Sequence, residues 1–243
     1  MSKHIYNNSS KKLSLSVIIP VYNEADILEK NTKKIQKAIE KITKNYELIF
    51  AEDGSTDGTD KLAKKLSSKC RNIQHIHFEK RQGKGQALSN AFKKSKGDIL
   101  VFMDIDLATD LTHVSDLVNA IKNGADIAIG SRGIKSLERS LKRNIVSYCY
   151  NRCVRFLFNI DIRDAQCGFK ALNRGKLLTV LPHIKDKEWF WDTELLIKAH
   201  KRKYKIVEIP IKWKETNLRK SKVNVFKDGM KMGLKLIKLK MGL

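Results

Sequence analysis

Two rhythms of apolar residues alternate along the first half of the chain. Residues 15–20, 46–51, 73–78, 99–103 and 126–130 read as strands, and 99–103 is apolar throughout, as a strand buried on both faces should be. Between them the apolar positions space out to a helical period. Ile27, Leu28, Ile35, Ala38, Ile39 and Ile42 do so within residues 24–43, and further helices are predicted up to Lys69, over 84–96 and over 112–123. Strand–helix alternation at this spacing predicts an α/β fold, a mostly parallel sheet with helices on both sides. The second half is less regular. Residues 136–159 predict one or two basic, aromatic-bearing helices, 164–170 a turn and strand, 192–203 a helix and 206–213 a strand. The tail has Phe226, Met230, Leu234, Ile237 and Met241 on one stripe and Lys227, Lys231, Lys235 and Lys238 on another. With no internal repeat and no dividing linker, the expected organisation is a flexible N-terminus (1–13), one domain (14–222) and an amphipathic C-terminal helix (223–243).

Polar clusters fall where the predicted strands end: Tyr22-Asn23-Glu24, Asp53-Gly54-Ser55, Gln82-Gly83-Lys84-Gly85, Asp104-Ile105-Asp106 and Ser131-Arg132. Open α/β sheets bind ligands beyond the carboxyl ends of their strands, so the coincidence points to one site. Asp104 and Asp106 leave an apolar strand two residues apart. In extended chain both carboxylates then face the same way, and paired oxygen anions suit Mg²⁺ or Mn²⁺. An acidic turn that only caps the next helix has the same short pattern. Asp53 can accept hydrogen bonds from a base or ribose, although a plain Asp-Gly turn reads alike. The turn around Lys84 combines glycine backbone with a cation at a helix N-terminus, which suits phosphate, but it lacks P-loop spacing.

Charge adds a partner class. The chain has 49 Lys+Arg against 26 Asp+Glu, a net +23, which favours nucleic acid, an anionic membrane or a phosphorylated substrate over a neutral one. A lysine-rich soluble surface is the bland alternative. Cys70, Cys149, Cys153 and Cys167 form no CxxC pair or framework, as expected of small buried or interfacial thiols in a reducing compartment. The first twelve residues are polar, and no run approaches the roughly 18–20 apolar residues that span a bilayer. A membrane role is therefore expected to be peripheral.

Val17-Ile-Ile-Pro-Val-Tyr-Asn-Glu24, Glu52-Asp-Gly-Ser-Thr-Asp57, Gly83-Lys-Gly85, Phe102-Met-Asp-Ile-Asp-Leu107 and Gly130-Ser-Arg132 resemble successive motifs of family 2 glycosyltransferases with the glycosyltransferase A fold. Asp164-Ala-Gln-Cys-Gly-Phe-Lys170, Trp191-Asp-Thr-Glu-Leu-Leu196 and Ser221-Lys-Val223 narrow the resemblance to dolichyl-phosphate glucosyltransferases and their polyprenyl-phosphate relatives. It spans residues 14–224, in order. It implies that Pro20, Tyr22, Glu24 and Asp53 hold the nucleoside, with Lys84 near the nucleotide. It implies that Asp104 and Asp106 hold the metal on the diphosphate. Arg132 and Arg143 would bind the acceptor phosphate, Gln166 would lie near the sugar or acceptor, Asp192 and Glu194 near the reacting centre, and Lys222 would close over the phosphates.

The implied activity is metal-dependent inverting transfer from a nucleotide sugar, UDP-glucose first, to dolichyl or polyprenyl phosphate. The implied setting is peripheral, on the cytoplasmic face of a membrane. Arg143, Arg152 and Arg155 mixed with Ile145, Tyr148, Phe156, Leu157 and Phe158, together with the lysine-bordered tail, have the composition of interfacial helices. A glycan or protein acceptor is the nearer alternative. A basic nucleic-acid-binding protein is the more distant one: the chain carries no recognised motif for it, and its polar clusters gather at strand ends.

Overall fold

Alternate residues of the apolar runs serve opposite faces of one sheet, as the two-residue period of a strand requires. The computed structural model of the chain describes residues 14–133, 141–214 and 225–242, with side chains from 144 in the second segment and from 228 in the third. The elements run β1 Leu15–Val21, α1 Ala25–Glu40, β2 Tyr46–Glu52, α2 Thr59–Lys69, β3 Ile73–Ile76, α3 Lys84–Lys94, β4 Ile99–Met103 and α4 His113–Lys122. They continue as β5 Ile127–Ser131, α5 Leu141–Phe158, β6 Phe169–Asn173, α6 Arg174–Val180, α7 Trp191–Lys201, β7 Ile206–Pro210 and α8 Val225–Met241.

The strand order is β3-β2-β1-β4-β6-β5-β7. All pairings are parallel except those of β6, which runs antiparallel to both β4 and β5. Ile18, Ile49, Leu100 and Phe102 pack on one face with Leu88 and Phe92 of α3, Val154 of α5 and Trp191 and Leu195 of α7. Val17, Ile19, Phe50 and Val101 pack on the other with Leu28 and Ile35 of α1, Ala63 of α2 and Leu117 of α4. The predicted helices of the first half thus divide between the two faces.

Three details differ from the sequence expectation. β3 stops at Ile76, and β7 stops at Pro210, which leaves Trp213 to make a single bridge with Thr109. An unexpected short helix, α6, follows β6 directly, started by the Asn173 side chain, which accepts the Lys176 N–H at 3.1 Å. The tail helix is apolar on two faces rather than one. Met232 and Leu236 are buried in the core, whereas Met230, Leu234, Ile237 and Met241 are exposed. α5 likewise buries Val154 and exposes Ile145, Tyr148 and Phe156, the last at 86%. Among the described residues, no helix is long and apolar enough to cross a membrane.

Candidate active site

Parallel β1, β2, β4 and β5 deliver their carboxyl ends to one edge of the sheet, and reversed β6 brings its beginning to the same edge. Met103 lies opposite Phe169 across the β4–β6 pair, so Gly168 and Cys167 stand beside Asp104. A cavity of about 110 Å³ opens there, lined by Asp104, Asp106, Arg132, Cys167, Gly168 and Trp213, among others. Residues distant in sequence meet because of strand polarity.

Asp104 is half-exposed and bonds the Lys84 ammonium, Nζ to Oδ1 at 2.9 Å. Burial alone would lower the lysine, but the Asp104, Asp192 and Asp106 carboxylates outweigh it and raise it above its ordinary value. Burial, and then the adjacent Asp104 charge, raise the Asp106 carboxyl. Asp106 Oδ1 accepts the Ala108 N–H at 3.1 Å. Two carboxylates against one ammonium leave a negative, all-oxygen corner. That donor set fits a hard divalent cation such as Mg²⁺ or Mn²⁺.

Arg132 is held at the cavity wall by Asp164. Its Nε donates to Oδ2 at 2.6 Å, its Nη2 to Oδ1 at 2.7 Å, and its backbone N–H to Oδ2 at 3.1 Å. This fork-to-fork pair fixes the guanidinium plane, and the Trp213 ring lies 5.9 Å from its carbon. Asp192 lies in the first turn of α7, where Trp191 stacks on Phe92 at 5.8 Å and donates its indole N–H to Ser89 Oγ at 2.8 Å. The fully buried ammonium of Lys170 donates to Asp192 Oδ1 at 2.6 Å. Burial pushes the Cys167 thiol up to about 12, which makes it an inert wall. Cys149 and Cys153, by contrast, are exposed on α5.

The nucleoside-side residues gather where β1 and β2 end. Pro20 pairs with Ala51 in the ladder, and the Tyr22 ring lies under the Arg81 guanidinium at 4.5 Å. Buried Glu24 donates its backbone N–H to Thr59 Oγ1 at 2.7 Å, and its carbonyl accepts the Leu28 N–H at 3.0 Å. Asp53 accepts the N–H groups of Gln82 and Gly83 at 2.6 and 3.0 Å, which pulls that loop against the strand end. Gly54 makes the approach possible: its φ is +69°, and a Cβ there would lie 2.6 Å from the Arg81 nitrogen.

Other expected residues lie apart. Glu194 is not among the residues lining the cavity. Its carboxylate accepts the Lys185 and Asp186 N–H groups at 3.0 and 2.8 Å and pairs with Lys198 at 2.9 Å. The Gln166 amide points to α8, 3.2 Å from the Met232 sulfur. Lys222 lies outside the described residues, as do the side chains of Arg143 and of Phe226 in the tail stripe. Sequence reasoning gave no role to Asp164, Lys170 or Trp213. Lys170 did carry a signal: a lysine inside the otherwise apolar β6 must find a buried anion.

The model of the family described as "Glycosyl transferase family 2" matches residues 16–181. Glycosyltransferase AglD of Haloferax volcanii is 36% identical over 93% of this chain, which spans 37% of that protein's length. The dolichyl-phosphate beta-glucosyltransferase of Saccharomyces cerevisiae is 33% identical over 97% of this chain and 76% of its own. Among solved structures, glucosyl-3-phosphoglycerate synthase from Mycobacterium tuberculosis in complex with UDP superposes with a TM-score of 0.71 at 20% identity, covering 95% of this chain and 81% of its own. The same enzyme in complex with Mn²⁺, UDP-glucose and phosphoglyceric acid gives 0.70 at 18% identity, covering 95% and 80%. The sheet and its flanking helices are therefore those of the glycosyltransferase A fold.

Proposed function

The chain belongs to glycosyltransferase family 2, and from that premise we propose that it loads a hexose onto a dolichyl or other polyprenyl phosphate. UDP-glucose is the donor, the anomeric carbon is inverted, and the reaction runs at the cytoplasmic face of a membrane. What supports this most is one cavity lined by two carboxylates and a fixed guanidinium, where a diphosphate and an acceptor phosphate can meet. Dolichyl-phosphate beta-glucosyltransferases among the relatives support the sugar and the carrier.

The carrier phosphate is an anion at neutral pH. One of its oxygens forms the new bond to the anomeric carbon as the bond to the nucleoside diphosphate breaks, so no proton has to be removed. Positioning then matters more than a general base. Asp104 and Asp106 would hold Mg²⁺ or Mn²⁺, which when bound offsets the charge building on the leaving diphosphate. Lys84, already against Asp104, would share the nucleotide phosphates. Arg132, with Asp164 taking Nε and Nη2, would offer Nη1 to the acceptor phosphate, with Arg143 and Lys222 as further cations. Asp192, oriented by Lys170, would hold a ligand at the reacting centre. Pro20, Tyr22, Glu24 and Asp53 would shape the nucleoside pocket, with Gln166 toward the sugar.

The exposed apolar residues of α5 and α8 lie beside lysines of a chain with net charge +23, a combination that suits an anionic bilayer surface. The acceptor is tested by comparing a polyprenyl phosphate with the same polyprenol lacking phosphate, using one labelled donor. Transfer confined to the phosphate agrees with the reading. Transfer to a glycan or protein, with none to the lipid, contradicts it.

A further inference from the structure

The parallel register of β2 and β3 brings a second set of metal-binding side chains together, away from Asp104 and Asp106. Phe50 lies opposite His75 and Ala51 opposite Ile76, so the next step along the pair sets Glu52 beside His77. His75 and His77 are two apart and face the same way, as do Phe50 and Glu52. Phe50 belongs to the face covered by α1, α2 and α4. This cluster is separated from β4 by the whole width of β1.

The Glu52 carboxylate is fully buried, His75 is 10% exposed and His77 is 43% exposed. One ligand atom from each lies within 4.8 Å of the others. Glu52 Oε2 contacts His77 Nδ1 and stands 3.9 Å from His75 Nε2, too far for a hydrogen bond. His75 Nε2 is buried and has no hydrogen-bond partner. Bearing a proton, Nε2 faces the buried Glu52 charge from 3.9 Å without a hydrogen bond; bare, it turns a lone pair towards a carboxylate. A cation between the three groups resolves both cases.

We propose that Glu52, His75 and His77 bind a second divalent metal of the Zn²⁺ class. Two imidazoles and one carboxylate suit a borderline ion such as Zn²⁺ or Co²⁺, whereas the all-oxygen pair at Asp104 and Asp106 suits Mg²⁺ or Mn²⁺. The exposed edge of His77 provides the way in and the side on which water completes the coordination. Glu52 Oε1 meanwhile accepts the Ser55 N–H at 2.5 Å, and Ser55 Oγ accepts the Asn23 N–H at 3.0 Å. Metal here would tie β2, β3 and the β1–α1 turn together, beneath the expected nucleoside pocket.

The test uses the full chain without a histidine tag, stripped with chelator, carrying Asp104→Ala and Asp106→Ala to silence the other site. Co²⁺ is titrated while visible absorption is followed, and Zn²⁺ retained after desalting is counted per chain. One equivalent is expected, with Zn²⁺ raising the melting temperature. His77→Gln, at a half-exposed position, should stay folded by circular dichroism and weaken Zn²⁺ at least about tenfold, the loss that even outer-shell changes cause. His75→Gln should do the same. Failure of the double-aspartate protein to retain either metal at micromolar concentration would overturn the site, as would Zn²⁺ binding that survives both histidine replacements.

Discussion

Gly168→Ala tests whether the Asp104 carboxylate is held where the chemistry needs it. Gly168 is outside the left-handed region, so alanine keeps the backbone. The added Cβ would, however, overlap Asp104 Oδ2 and lie 3.1 Å from its Cγ. Restoring ordinary van der Waals separation moves the carboxylate by roughly 1 Å. Asp104 is 43% exposed and can swing outward, at about 0.5–1.5 kcal/mol of rotamer strain. The lost chain entropy of the unfolded state returns about 0.4–1 kcal/mol, so net stability should change by less than about 1 kcal/mol. Activity should change far more. A 1 Å misplacement at a reacting centre costs about a hundredfold, roughly 2.7 kcal/mol of transition-state stabilisation. The assay is kcat/KM for sugar transfer over a Mn²⁺ titration, alongside urea unfolding. Gly175→Ala, whose Cβ would meet Asn173 Oδ1 at an ordinary 3.4 Å, is the control with unchanged turnover. Wild-type turnover and wild-type Mn²⁺ dependence in folded Gly168→Ala would refute the role given to Asp104.

Asp164→Ala strands the buried Arg132 guanidinium and should cost about 3–5 kcal/mol in urea unfolding, with a raised KM for the lipid phosphate. Burial alone would raise the Asp164 carboxyl, but Arg132 outweighs it and holds it below its ordinary 3.8. Its contribution is therefore present above about pH 4 and lost as pH falls through the lower, folded value. Asp164→Asn should flatten that acid limb in a pH series of unfolding curves. Lys170→Met leaves Asp192 buried without its partner and should be destabilising by about 3–5 kcal/mol, whereas Lys170→Met with Asp192→Asn should recover much of it; additive losses would exclude the coupling. Replacing exposed Met230, Leu234 and Ile237 together by serine should leave stability within about 1 kcal/mol and reduce flotation with anionic liposomes. Undiminished flotation would remove α8 from the membrane contact.

Much of the fold was legible because parallel strands buried on both faces must be continuous apolar runs. β1 and β4 have that character, and their ends carry Asp104 and the turn after Val21. The reversal of β6 was not legible, since a five-residue strand reads alike in either direction. That reversal is what sets Gly168 beside Asp104. Asp53 and Glu194 were visible as carboxylates at element ends, but their backbone partners, Gln82 and Gly83 or Lys185 and Asp186, emerge only once loops are packed. The stripe of Met230, Leu234, Ile237 and Met241 was legible and is exposed, but the second apolar row, Met232 with Leu236, shows only once the core that covers it is packed. His75 and His77 lay two apart in the strand expected over 73–78, a readable pattern whose third member, Glu52, required the register.

The most direct measurement is transfer of labelled glucose from UDP-glucose to a short polyprenyl phosphate, followed by extraction into organic solvent. It is run with Mg²⁺, with Mn²⁺ and with chelator, beside Asp106→Asn and a panel of other nucleotide sugars. The account predicts metal-dependent label in the lipid phase, lost with chelator and in the variant. Transfer from no nucleotide sugar by a protein that still binds one, or transfer indifferent to metal and to Asp106, would contradict it.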